Sequence, residues 1–164
     1  NVPLTFTQDN QELTITPGGA VQPLTGITNQ SLAKACRVLR ITHDKGWFND
    51  DDPGATYPGW IRRCNLGTGD FNNDLTISET PGDVWSSSFT GSNVSVIAPK
   101  EAGAGKIEVQ IDGQTRAIAD ESGSGPRFAQ QSVCEVTGLT AGKHTIAIVN
   151  RGPGPVAVDA LVIH

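Results

Sequence analysis

Long apolar runs are missing from this sequence. Nowhere do about eighteen apolar residues follow one another, so no segment reads as a membrane-spanning helix, and no charged-then-apolar leader reads as a signal peptide. Methionine is absent and the chain opens on Asn1, which fits a processed chain or a fragment of something longer, and a fragment is the expectation. Basic residues are scarce: 12 Lys and Arg against 17 Asp and Glu leave a formal net charge of -5. A protein that grips a phosphate backbone needs a clustered basic surface, and with none in view nucleic acid is set aside as a partner. The three cysteines, Cys36, Cys64 and Cys134, include no CxxC pair and have no histidine close enough in sequence to complete a zinc set. They allow at most one disulfide. A Cys36 to Cys64 bridge in an oxidising compartment and buried free thiols acting as small hydrophobes both stay open. The histidines, His43, His144 and His164, have no GxSxG partner, so no hydrolytic triad is visible.

What the sequence does contain is turn formers. Its 164 residues, enough for one domain with a proper core, include 19 Gly and 10 Pro but only 18% charged and 5% aromatic residues. That mixture favours short strands joined by tight turns over long helices. From Val84 onward the pattern is regular, with strands expected at Val84–Phe89, Val94–Ile97, Lys106–Ile111, Thr115–Ala119, Ser132–Val136, His144–Asn150 and Val156–Ile163. Lys106, Glu108 and Gln110 alternate with Ile107, Val109 and Ile111, the signature of a strand with one wet and one buried face. Asp112-Gly113 is a two-residue hairpin signal. An antiparallel β-sandwich follows, with Ile107, Val109, Ile111, Ile146, Ile148 and Val158 in one shared core.

Ahead of this region, residues 44 to 83 mix Asp, Asn and Gly with Trp47, Phe48, Tyr57, Trp60 and Phe71, which reads as long loops around short strands at Trp60–Arg62 and Leu75–Ser78. Residues 1 to 43 read as strand, hairpin and connecting segment: strands at Leu4–Thr7 and Glu12–Thr16, a helical turn at Ser31–Ala35 and a further strand at Val38–Thr42. The shift in composition near residue 44 marks a boundary, with 1–43 a tail or linker from a preceding catalytic domain and 44–164 the sandwich.

The order Phe89-Thr90-Gly91-Ser92-Asn93-Val94, Ile111-Asp112-Gly113, Gly138 to Ile146 and Val158-Asp159-Ala160-Leu161-Val162 resembles the galactose-binding-like jelly-roll domains appended to bacterial glycoside hydrolases. Tyr57-Pro58-Gly59-Trp60, Leu75 to Ser78 and Pro81-Gly82-Asp83 are similar to the first half of that pattern, so the resemblance covers residues 44 to 164. It implies an all-β jelly roll without catalytic residues. As function it implies a carbohydrate-binding module of a secreted, periplasmic or cell-surface enzyme, with a glycan and the parent catalytic domain as partners. The alternative is a structural spacer that binds no sugar. Thr5 to Thr16 followed by Cys36 to Ile41 is similar to the closing strands of α-L-fucosidase-like glycosidases, which would make the chain a C-terminal extension of such an enzyme.

Sugar binding needs an exposed aromatic face for pyranose C–H groups and planar polar side chains for hydroxyls. Trp47, Phe48 and Tyr57 with Asp50, Asp51, Asn72, Asn73, Arg62 and Arg63 supply those types in one loop-rich stretch, and Trp47, Phe48, Asp50, Asp51, Tyr57, Arg62 and Asn72 form the candidate site. For Trp47 a packing role, closing one end of a core built by Trp60, Trp85 and Phe89, stands beside the binding role. Arg127-Phe128, after the Gly-rich loop Ser122 to Pro126, is a second candidate rim. Asp70-Phe71-Asn72-Asn73-Asp74 resembles the opening of a calcium loop, but Leu75 and Pro81 stand where that loop needs Gly and a carboxylate, so a turn is expected. A structural calcium ion is the one cofactor in view: the acidic run Asp50-Asp51-Asp52-Pro53 could hold it, and the resemblance implies an ion near the final strand, with Asp159 and Asp52 as candidate ligands. Asp159 is set in an apolar run, where an inward carboxylate must be paired, hydrogen-bonded or metal-bound.

Overall fold

The computed structural model describes residues 46–164, together with the backbone of two short strands near the start, β1 (Leu4–Thr5) and β2 (Thr14–Ile15), which pair antiparallel. The chain divides into two compact units, Asn1–Thr42 and His43–His164. The expected helical turn at Ser31–Ala35, the strand at Val38–Thr42, Cys36, and the fucosidase-like segments apart from those two short strands lie outside the described residues.

The second unit is built from strands in chain order: β3 (Trp47–Asn49), β4 (Ile61–Cys64), β5 (Asp74–Ser78), β6 (Val84–Gly91), β7 (Val94–Lys100), β8 (Lys106–Ile111), β9 (Gln114–Asp120), β10 (Phe128–Val136), β11 (Gly142–Gly152), β12 (Val156–Val158) and β13 (Ala160–Ile163). One 3-10 turn, Phe71–Asn73, precedes β5. The strands form two four-stranded sheets, ordered β10-β7-β13-β3 and β6-β11-β8-β9, and a three-stranded sheet, β12-β5-β4. Every strand pairing among the described residues is antiparallel.

Alternation decides which side chains meet between these sheets. Ile107, Val109 and Ile111 of β8 and Ile146 and Ile148 of β11 face inward without exposure, and they meet Val94 and Val96 of β7, Leu161 of β13 and Val156 and Val158 of β12. Trp60, Trp85 and Phe89 complete the same cluster, so the six core residues expected from the sequence share one core. A fully buried Ile or Leu contributes about 1.5–3 kcal/mol here. The β8–β9 turn sits where the hairpin signal placed it: Asp112 (φ 51°) and Gly113 (φ 75°) both take the left-handed conformation that a type I′ turn demands. The Asp112 carboxylate also accepts the Thr145 N–H at 2.8 Å and faces His144 Nδ1 at 2.7 Å, tying the turn to β11.

Two expectations need correction. Val156–Ile163 is not one strand: it breaks at Asp159, with β12 pairing β5 and β13 pairing β7 and β3. The break follows from Asp159 itself, whose buried carboxylate turns to the Phe71 N–H at 2.9 and 3.2 Å. Trp47 and Phe48 are not in a loop, because Trp47–Asn49 forms the edge strand β3 against Val162, Leu161 and Ala160. Of the cysteines, Cys134 is a free buried thiol and Cys64 is disulfide-bonded.

Candidate functional site

The edge strand β3 and the loop from Leu66 to Asn73 position most of the side chains singled out in the sequence. Trp47 is half-buried against Phe71, with ring centroids 4.9 Å apart and planes tilted by 31°. Phe48 is 41% exposed, and Tyr57 packs partly buried against the core. Asn72 (φ 50°) and Asn73 (φ 62°) hold left-handed backbone, which asparagine tolerates better than most residues, so the segment turns sharply into β5.

The expected polar contacts to sugar are instead each other's partners. Asn49 donates through Nδ2 to Asp51 Oδ1 at 2.7 Å and to Asp74 Oδ1 at 3.2 Å, and its own Oδ1 accepts from Asn72 at 3.2 Å. Arg62 bonds Asp74 and lies 3.0 Å from Asp51 Oδ2. Asp52 accepts the Asn49 N–H at 3.0 Å. Asp50 and Arg62 therefore have to be withdrawn as glycan contacts: the Asp50 carboxylate is wholly buried, and the guanidinium of Arg62 is held inside between two carboxylates. Asp159 and Asp52, the candidate cation ligands, accept different backbone N–H groups, those of Phe71 and Asn49.

Asp50 is the anomaly of this network. Its backbone is well used, since its N–H donates to Asp159 O at 3.2 Å and its carbonyl accepts from Trp85 Nε1 at 2.9 Å. Both carboxylate oxygens, however, are buried without a hydrogen-bond partner among the described residues. One oxygen each from Asp50, Asp51 and Asp74 lies within 4.8 Å of the others. Burial raises the Asp50 pKa well above the usual range, and repulsion from Asp74 and Asp51 adds to that against the attraction of Arg62. Burial likewise pushes Asp159 up to about 8, with the Phe71 N–H opposing.

Beside this network lies a groove of about 340 Å³. Its apolar floor is the outer face of β4, β5 and β12, where Leu75, Ile77 and Ala157 alternate away from the core, with Leu66 and Pro99 closing it. Its rim is Arg63, Thr68, Glu101 and Arg127. Arg127 is fixed by Asp70, the Thr68 carbonyl at 3.2 Å and Glu101 at 3.5 Å. Arg63 is exposed and makes no ion pair among the described residues. Sequence reasoning reached Arg127 through its rim position after the Gly-rich loop and Arg63 through the polar groups of the loop-rich stretch, but missed Thr68 and Glu101. Alternation at Arg62-Arg63 sends the neighbouring guanidinia to opposite faces of β4, so Arg63 lines the groove while Arg62 turns to Asp51 and Asp74. A second, hydroxyl-lined hollow of about 310 Å³ lies over Ser86, Ser88, Gln110 and Thr145 on the outer face of the β6-β11-β8-β9 sheet.

These features define an antiparallel β-sandwich of the jelly-roll kind whose grooves lie on its outer faces. Among solved structures it is similar to CBM35 from Paenibacillus barcinonensis (15% identity, TM-score 0.52, covering 72% of this chain and 97% of that one). It is also similar to a family 35 carbohydrate binding module from Clostridium thermocellum (13% identity, TM-score 0.50, 70% and 93%). A third is a two-domain esterase active on acetylated mannans (13% identity, TM-score 0.55, 71% of this chain). The chain spans 35% of that esterase and 18% of a Paenibacillus cycloisomaltooligosaccharide glucanotransferase that it also matches. At these identities the likeness defines the fold. No family model and no curated protein matches the chain.

Proposed function

We propose that the sandwich is a non-catalytic carbohydrate-binding module carried by a larger carbohydrate-active enzyme, and that the groove over β4, β5 and β12 is where it holds a glycan. The groove carries this reading. An apolar floor suits the C–H face of a pyranose, and a rim of two guanidinia, a carboxylate and a hydroxyl supplies planar donors and acceptors for sugar hydroxyls. The fold supports it by analogy, since two matched structures covered over 93% and 97% of their length are carbohydrate-binding modules. Longer matched enzymes, among them one crystallised with mannopentaose, carry the fold as one part of their chain, in keeping with an appended role. The disulfide at Cys64 fits an oxidising compartment, so the parent enzyme is secreted, periplasmic or cell-surface.

A glycan array on the full chain tests the reading, followed by titration of whatever is retained. Arg63→Ala should lower affinity by about tenfold, the loss of one charge-assisted hydrogen bond. An array with no retained glycan removes the proposal and leaves a spacer.

A further inference from the structure

We infer that the groove over β4, β5 and β12 takes an acetylated sugar, with the acetyl methyl on its floor and the acetyl carbonyl at Arg63. This rests on the groove being the glycan site, and it adds what the groove selects. The floor supplies the first half of the argument. Leu66, Leu75, Ile77, Pro99 and Ala157 are all aliphatic, and no aromatic side chain among the described residues lines the groove. A bare pyranose gains most from the π face of an aromatic ring, and none is offered here. Aliphatic side chains offer burial and close packing instead, which favour a methyl group set among them. Leu75, Pro99 and Ala157 are buried, while Leu66 and Ile77 remain partly open to a ligand. The groove's volume of about 340 Å³ stands at the low end for small-molecule sites, which suits one substituted sugar residue rather than a run of them.

The rim supplies the polar half. Arg127 is already engaged: its guanidinium bonds Asp70, donates to the Thr68 carbonyl at 3.2 Å and lies 3.5 Å from Glu101. The Thr68 hydroxyl donates to Asp70 Oδ2 at 2.5 Å, so its proton is used as well. Arg63 makes no hydrogen bond or ion pair among the described residues and is the free donor of the groove. A free guanidinium beside an aliphatic floor matches a carbonyl that carries a methyl group, since the oxygen accepts while the methyl packs. Ester and amide acetyl groups share that pattern. A uronate is the competing ligand, because its carboxylate would also pair with Arg63. The charges oppose it: Glu101 and Asp70 balance the two guanidinia of the rim, and the whole chain carries a net charge of -5. A carboxylate would also leave the aliphatic floor with nothing to hold, whereas an acetyl group uses both halves of the groove.

Isothermal titration of the full chain with matched sugars tests this. Chitotetraose is set against cellotetraose, which shares its linkage and lacks the acetamido groups. Acetylated xylotetraose is set against the same sugar after alkaline deacetylation, and trigalacturonic acid is the acidic arm. The acetylated member of at least one pair should bind about tenfold or more tightly than its partner, the effect of one buried methyl and one charge-assisted hydrogen bond. Which pair responds tells an amide from an ester. Ile77→Thr, which keeps the branched shape but wets the floor, and the exposed Arg63→Ala should each cut that preference to about threefold or less in chains that still melt cooperatively. Equal binding within both pairs overturns the inference and leaves the groove a sugar site. Tightest binding to trigalacturonic acid overturns it too, as does a preference that survives in Arg63→Ala and in folded Ile77→Thr. No binding to any of these sugars also overturns it, and only a blank glycan array removes the reading beneath it.

Discussion

Replacing Glu121 by Gln separates a charge effect from a packing effect at one buried position. Glu121 directly follows β9 and is 1% exposed; its Oε2 accepts the Ala157 N–H of β12 at 2.8 Å, while Oε1 has no partner among the described residues. Burial pushes its carboxyl up to about 8, the Ala157 N–H opposes, Glu101 and Asp120 add repulsion, and Lys100 opposes weakly. The unfolded chain titrates this group near 4.5. Between those two values the folded chain keeps a proton that the unfolded chain has released, so stability falls as pH rises. The contribution is whole below the unfolded value and gone above the folded one. At about 1.4 kcal/mol per pH unit the total is on the order of 5 kcal/mol. Gln cannot ionise, and its carbonyl keeps the Ala157 bond, but its amide takes the place of the partnerless oxygen at a cost of about 1–3 kcal/mol. Glu121→Gln should therefore be less stable than the parent at about pH 5 and more stable at about pH 9, with the curves crossing between. Urea melts followed by tryptophan fluorescence measure the difference at each pH. A difference that stays constant across that range refutes the reasoning, whatever its size.

Trp47→Ala should cost about 1–3 kcal/mol of folding stability, less than a core tryptophan would, because Trp47 is half-buried on an edge strand. A urea midpoint unchanged from the parent would show that its stacking on Phe71 contributes nothing. His144 is held above its ordinary pKa by the Asp112 carboxylate and the Thr140 carbonyl, so Asp112→Asn should lower its titration midpoint in an NMR pH series, and an unmoved midpoint would exclude that ion pair. Arg127→Ala should destabilise by about 2–4 kcal/mol because it strips the buried Asp70 of its guanidinium. Arg63→Ala, exposed and unpaired, should stay within about 0.5 kcal/mol of the parent, and chemical denaturation of the two variants side by side checks the contrast.

The sandwich was legible because its signals are local. Alternation at Ile107, Val109 and Ile111 set a burial face, and Asp112-Gly113 set a turn that only left-handed residues can make. The same local logic failed at Asp159, where an apolar run hid a change of sheet: alternation reports which way a side chain points but not which strand lies beside it. It failed again at Trp47–Asn49, since a three-residue edge strand is too short to show a period and borrows its order from Ala160–Val162. Site residues were legible as types and not as partners. Asp51 and Arg62 offered hydroxyl-pairing groups on paper, yet Asn49 and Asp74, some 25 residues apart, draw them into one internal network, and Asp50 is buried beside it. The groove rim joins Arg63 and Thr68 to Glu101 and Arg127, and nothing in their spacing announces that meeting. Glu121 was invisible for the same reason, because a carboxylate just after a strand normally reads as solvated.

The central claim is that the groove over β4, β5 and β12 binds sugar. Calorimetric titration of the full chain with the glycan that an array selects, repeated on Arg63→Ala, tests it most directly. The account predicts saturable binding to the parent and about tenfold weaker binding to the variant at an unchanged melting temperature. Equal affinity for the two proteins would contradict the placement of the site, and an absence of binding to any glycan would contradict the function itself.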